Sequence, residues 1–176
     1  MLKKIDGSVL WLLKNSNEGA NNLKKESQKR GVDPNRIIFA EKLSQPDHLA
    51  RHKLADLFID TFPYSAHTTC SDALWSGLPI ITRMGESFAS RVGGSILSAI
   101  GLKELITKTE KEYEDLAINL ASNSKVLKNI KKKLIKNKTN KPLFDTKLYT
   151  SNIESAYIKV YENYHLKLNK KNIEIK

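Results

Sequence analysis

The segment Ala66-His67-Thr68-Thr69-Cys70-Ser71-Asp72-Ala73-Leu74-Trp75-Ser76-Gly77-Leu78-Pro79 concentrates the residues of this chain best able to do chemistry. It lies between two apolar runs, Leu57-Phe58-Ile59 and Ile80-Ile81, and reads as strand, polar loop, short helix, strand. An imidazole, two hydroxyls and several unpaired backbone N–H groups then meet at a helix N-terminus, where the dipole favours an anion. Asp72 follows Thr68 by one helical turn and shares roughly its face. A carboxylate there repels phosphate but can accept hydrogen bonds from sugar hydroxyls. Phosphate beside ribose is a nucleotide, so the segment is expected to hold a nucleotide diphosphate. Two plainer readings stand beside this one: Thr68 or Thr69 simply caps the helix, and Asp72 is a solvated surface acid.

The elements that must position these residues alternate over the first 110 or so residues. Apolar runs at Ser8 to Leu13, Arg36 to Ala40, Leu57 to Asp60 and Pro79 to Thr82 read as strands, with a short one near Leu105-Ile106. Helices are expected at Gly19 to Arg30, at Pro46 to Ala55 with Ser44 as N-cap, at Thr68 to Ser76 and at Ala89 to Ile100. Short strands separated by helices give right-handed βαβ units and one parallel sheet covered by helices on both faces. Ligands of such sheets bind beyond the carboxyl ends of the strands, and the loops Glu41 to Pro46, Thr61 to Thr69 and Arg83 to Phe88 all leave that edge. From about residue 110 the chain is helical: Glu110 to Ser122, Lys125 to Lys138, and Ser151 to about Leu168. In the last helix Ile153, Ala156, Tyr157, Val160, Tyr161 and Tyr164 form a stripe expected to pack on the domain's own core. Residues 1–168 are thus expected to be one domain, and residues 169–176 a frayed basic tail. Trp11 and Trp75 are expected in the core.

These residues also resemble a known family. Asp60-Thr61-Phe62-Pro63-Tyr64 running into His67-Thr68-Thr69, then Asp72-Ala73-Leu74-Trp75 and Gly77-Leu78-Pro79, is similar to the O-GlcNAc transferase family, glycosyltransferase family 41. The likeness continues through Gly85-Glu86-Ser87-Phe88-Ala89-Ser90-Arg91-Val92, Lys111 to Ala117, Pro142 to Thr146 and Tyr149-Thr150, and back to Ser8 to Leu13 and Asn35 to Phe39. It keeps family order over roughly Ile5 to Tyr164.

The resemblance implies the nucleotide-binding, Rossmann-like lobe of a GT-B glycosyltransferase, N-terminally truncated and carrying a helical C-terminal extension. In the family a C-terminal helix returns toward the partner lobe, so the resemblance also implies that part of the Ile153 to Tyr164 stripe is exposed. It implies that His67, Thr68 and Thr69 hold the diphosphate of a UDP-sugar and that Asp72 meets the ribose. His48 and Arg51 would lie near the uridine, and the backbone around Leu43 would meet the uracil edge. Gln45 stands where animal members carry a lysine, which removes a positive charge. Gly85, Glu86, Ser87 and Arg91 either line the sugar pocket or brace the His67 loop. The implied chemistry is metal-free transfer of N-acetylglucosamine or a related hexose to Ser/Thr of a protein acceptor. The family's first strand and loop, with its phosphate-contacting lysine, have no counterpart in these residues. Neither do the acceptor-side lobe and the tetratricopeptide repeats. No catalytic residue is therefore expected within this chain. A separate acceptor-side lobe, or self-association, would complete it. The alternatives are a non-catalytic nucleotide-binding relic and a basic interaction module.

Composition narrows these classes. The 176 residues suit one domain with a real core. No apolar run approaches the ~20 residues of a membrane span, and nothing resembles a signal peptide, so a cytoplasmic location is expected. The single cysteine, Cys70, fits a reducing compartment and reads best as a small buried residue. Net charge is +11, of which residues 101–176 contribute +8, with 17 lysines and no arginine. That segment lacks interleaved aromatics between Lys125 and Lys141, so a solvated helix face is preferred to nucleic-acid binding. His48 and His52, at i and i+4, could supply half a metal site but have no third ligand nearby in sequence.

Overall fold

Residues 1–169 and 171–175 are described by the computed structural model. The chain is an α/β protein whose strands all pair in parallel. β1 (Leu10–Leu13) leads through α1 (Asn17–Lys29) to β2 (Ile37–Ala40), and α2 (Gln45–Arg51) leads to β3 (Phe58–Ile59). Then follow α3 (Thr68–Trp75), β4 (Ile80–Arg83), α4 (Phe88–Ala99) and β5 (Ile106–Thr107). Three helices end the order: α5 (Glu110–Ser122), α6 (Ser124–Asn140) and α7 (Thr146–His165).

The expected single sheet is present as two ladders, β1–β2 and β3–β4–β5, with no hydrogen bonds joining them among the described residues. Leu10 pairs with Ile37 in the first, and Phe58 with Ile80 and Thr82 with Ile106 in the second. β4 is the centre of the molecule. Its consecutive residues Ile80, Ile81 and Thr82 point to alternate faces and are all fully buried, so both faces are covered. Around it pack Cys70, Leu74, Leu97, Ile100, Leu102, Leu105, Leu120 and Leu134. The β1–β2 half is thinner, with Ile37 its one buried apolar residue and Leu13 and Ile38 exposed.

Local sequence sets the element ends. Ser16 caps α1, and Gly31, with φ near +71°, lets the chain turn off it. Thr109 and Glu112 form a reciprocal capping box at the start of α5. Asp145 caps α7, which therefore begins five residues before the Ser151 start expected from periodicity. The helix expected to reach Ala55 ends at Arg51 and continues as a 3₁₀ turn, His52–Leu54.

Two expectations about packing fail. No residue of α7 is buried; Ile153 and Ala156 are half-covered, while Tyr157, Val160, Tyr161 and Tyr164 are exposed. A 3–4 spacing aligns a stripe on a helix but does not supply a surface to receive it. Trp75 is 53% exposed rather than core, because the last residue of α3 faces outward. It rests edge-on against Phe144, with the Lys138 ammonium 4.5 Å above its ring. Trp11 is half-buried, with the Arg51 guanidinium 5.9 Å from its ring centre. Of the expected tail, Lys170 and Lys176 lie outside the described residues. The rest has no helix or strand, and the Glu174 carbonyl accepts a hydrogen bond from Lys159.

The burial contrast gives a direct test. Leu74→Ala should lower unfolding free energy by about 2–5 kcal/mol in urea titrations, the range for emptying a packed leucine site. Tyr161→Ala should change it by no more than about 0.5 kcal/mol, as for an exposed position.

Candidate functional site

Six of the seven α-helices among the described residues start with a side-chain cap: Ser16, Ser44, Ser87, Thr109, Asn123 and Asp145. α3 is the exception. Its N-cap is His67, and no side chain caps it. The capping role considered for Thr68 and Thr69 is therefore not what these residues do. The His67 carbonyl accepts from the Cys70 and Ser71 N–H groups at 3.0 and 3.3 Å. The N–H groups and hydroxyls of Thr68 and Thr69 find no acceptor among the described residues, and both side chains are exposed. Four donors thus face outward at the positive end of a helix dipole.

His67 is held from three sides. Its ring stacks on Tyr64 at 4.9 Å and 19° and meets the edge of Phe88 at 5.9 Å. Its Nε2 lies 3.3 Å from the Ala89 carbonyl, an acceptor only, so Nε2 carries a proton there. Nδ1 is the nitrogen left for a ligand, and only the imidazolium form makes it a donor.

The loop that delivers His67 is fixed by a residue that sequence reasoning missed. Asp60 is 6% exposed, and its Oδ1 accepts from the N–H groups of Thr61 and Ala66 at 2.8 and 2.7 Å. Its Oδ2 accepts from the Thr82 hydroxyl at 2.6 Å, and its backbone carbonyl from the Tyr113 hydroxyl at 2.6 Å. Ser65 donates to the Ala89 carbonyl at 2.7 Å and accepts from the Gly93 N–H at 3.2 Å. Gly93 gives the pair room: a Cβ would stand 3.0 Å from both Asp60 Oδ2 and Thr82 Oγ1 and press on them. The available signal was an acid ending a strand, the only one between Leu57 and Ser71.

α2 forms a second wall. Arg51 donates to the Glu41 carbonyl at 2.7 Å and to His48 Nδ1 at 2.7 Å. His48 is therefore the tautomer with its proton on Nε2. Its pKa is lowered by burial first, then by His52 and Arg51, with the Asp72 charge opposing. That opposition places Asp72 of α3 within electrostatic reach of α2. Arg51 is committed to bracing His48 and the β2–α2 loop rather than projecting free. His52 gives its Nδ1 to the His48 carbonyl at 2.7 Å, and no cluster of three metal-binding side chains occurs among the described residues. Leu43 is 46% exposed in the β2–α2 loop.

The Arg83–Phe88 loop is tied to the start of α4 and borders a cleft. Ser87 caps α4, and the Gly85 N–H donates to the Ser90 carbonyl. Arg91 is exposed. Glu86 lines a cleft of about 370 Å³ with Phe62, Arg83, Met84, Gly85 and Lys108. The Arg83 guanidinium lies 3.7 Å over the Phe62 ring and pairs with Glu110.

The family model described as glycosyl transferase family 41 matches residues 1–153. The chain belongs to glycosyltransferase family 41. This family 41 chain is 37% identical over 164 residues to a UDP-N-acetylglucosamine–peptide N-acetylglucosaminyltransferase of Caenorhabditis elegans, covering 93% of itself and 14% of the relative. It is 37% identical over 162 residues to the probable Arabidopsis thaliana enzyme SEC, covering 92% of itself and 17% of that protein. A solved K341M mutant of the Thermobaculum terrenum O-GlcNAc transferase superposes with a TM-score of 0.83 at 29% identity, over 88% of this chain and 30% of that one. The chain thus spans less than a third of the length of each, and its fold is that of a GT-B glycosyltransferase fragment.

Cys70 is wholly buried, and burial, aided by the Asp60 charge, pushes its thiol up from 9.0 to about 12. The helix start does not activate it. Ellman's reagent should react slowly with the native protein at pH 8 and rapidly in urea. The neutral thiol must also ionise on unfolding above pH 9, so it contributes to a loss of stability as pH rises towards 12. Cys70→Ala should flatten that part of the stability–pH curve.

Proposed function

We propose that residues 1–176 form the UDP-sugar-binding wall of a protein O-glycosyltransferase that moves N-acetylglucosamine or a related hexose to Ser/Thr. The observation that carries this is the uncapped N-terminus of α3, with the N–H and hydroxyl groups of Thr68 and Thr69 free beside His67. A diphosphate fits that charge and donor set. When the sugar leaves, negative charge grows on the departing phosphate, and preformed donors stabilise it without reorganising. Asp72 would accept from ribose hydroxyls. His48, neutral at Nδ1 through Arg51, offers a flat face to the uracil, and the Leu43 backbone its polar edge. The phosphate charge is met by the helix dipole and by the Thr68 and Thr69 amides and hydroxyls, so the reading is metal-free.

Chemistry at the acceptor needs groups that this chain does not supply. Of its four histidines, His67 is given to the diphosphate in this proposal, His48 and His52 are tied to Arg51 and to the His48 carbonyl, and His165 lies on the exposed α7. A separate acceptor-side lobe, or a second copy of the chain, completes the cleft in this proposal, and its site of action is cytoplasmic. The basic-module alternative is weakened by the lysines of α6, several of which tie the helix to the domain. Lys131 pairs with Asp56, Lys133 pairs with Glu104, and Lys138 donates to the Trp75 carbonyl.

His67→Ala should weaken UDP binding by roughly 1.5–3 kcal/mol in calorimetry, the range for a charge-assisted hydrogen bond. Unchanged affinity would overturn the diphosphate assignment. UDP titrations with and without EDTA should superimpose; a tenfold loss on chelation would overturn the metal-free reading. With a radiolabelled UDP-sugar and a protein acceptor, the chain alone should transfer nothing. Labelling abolished by His67→Ala would show that the catalytic parts lie within these residues.

A further inference from the structure

We propose that Asp60 is a positioning residue of the diphosphate site: its buried carboxylate gathers the two ends of the Thr61–Ala66 loop and so sets where His67 and the first turn of α3 stand. The inference rests on the UDP reading above. Oδ1 takes the N–H groups of Thr61 and Ala66, the first and last residues of the loop, on a single atom. Oδ2 is anchored to Thr82 of β4, the most deeply covered strand. The residue after Ala66 is His67, and the two after that carry the free donors. No helix cap restrains the start of α3, so the carboxylate, by holding the Ala66 N–H two residues ahead of the first exposed donor, does what a cap does elsewhere. Its own backbone carbonyl is held by Tyr113, and Gly93 leaves it room, so it sits in a fixed frame rather than on a mobile loop.

Sign separates this role from the others open to a buried acid. Acting through its charge alone, Asp60 would repel the diphosphate, and removing it would tighten UDP. Acting as a core contact alone, it would lower stability and leave the affinity of the folded protein unchanged. As a positioning group its loss weakens UDP in protein that is still folded, because orientation of the donors is lost.

The experiment measures UDP affinity by calorimetry, with fold checked by circular dichroism and thermal midpoint, for wild type, Asp60→Ala, Asp60→Asn and Thr82→Val. Asp60→Ala orphans two loop amides and should weaken UDP about tenfold or more. Asp60→Asn keeps an oxygen for both amides, and the Thr82 hydroxyl can turn to accept from its amide nitrogen. It should therefore recover affinity to within about threefold of wild type. Thr82→Val, which removes one of three carboxylate bonds, should weaken UDP about two- to fivefold and speed amide exchange at Thr61 and Ala66. This variant decides the matter if Asp60→Ala does not fold. Folded Asp60→Ala or Thr82→Val protein binding UDP as well as wild type, or better, overturns the proposal alone. A wild type that binds no UDP overturns the parent reading and this one with it.

Discussion

The arrangement of this protein depends on one buried carboxylate. Asp60 directly follows β3, and three donors converge on its two oxygens from its own loop and from β4. A charge in that position is tolerable only when its lone pairs are engaged. Around this requirement the neighbouring choices follow. Thr rather than Val stands at position 82, and Gly stands at position 93 where any Cβ would crowd the pair. Tyr113 and Ser65 fasten the backbone on either side. Burial first, and the Asp60 charge second, raise the pKa of Cys70 and Tyr113.

An uncapped helix start costs stability, about 1 kcal/mol against a good cap. α3 carries that cost because Cys70, Ala73 and Leu74 are wholly buried and hold the helix by packing. The division of labour is clear along its length: the inner face secures the helix, and the first turn is left with open donors. The aromatic sandwich of Tyr64 and Phe88 about His67 serves the same end, orienting a ring by contact.

Much of this was legible in the sequence. Strand–helix alternation, the Ser44 cap, the α3 boundary and the burial of Cys70 all follow from patterning and turn chemistry. So does the departure of the Glu41 to Pro46 and Thr61 to Thr69 loops from the ends of β2 and β3. What was not legible depends on contacts distant in the chain. Asp60 acquires its role from Thr82 and Gly93, more than twenty residues away. The brace that Arg51 forms depends on the carbonyl of Glu41, ten residues earlier. The α7 stripe failed for the complementary reason. Periodicity specifies which side of a helix is apolar, whereas burial needs a second surface.

The break between the two ladders bears on cooperativity. The three-stranded half holds nearly all the buried apolar residues, and the β1–β2 half holds Ile37. Units so unequal open at different free energies, the thinner one first. The proposed nucleotide would lie across that divide, its base against α2 and its diphosphate on α3. Bound there, it acts as a rivet between a firm half and a soft one. Part of its binding free energy then goes into ordering the softer half, which makes ligand affinity and the integrity of β1–β2 two readings of one equilibrium.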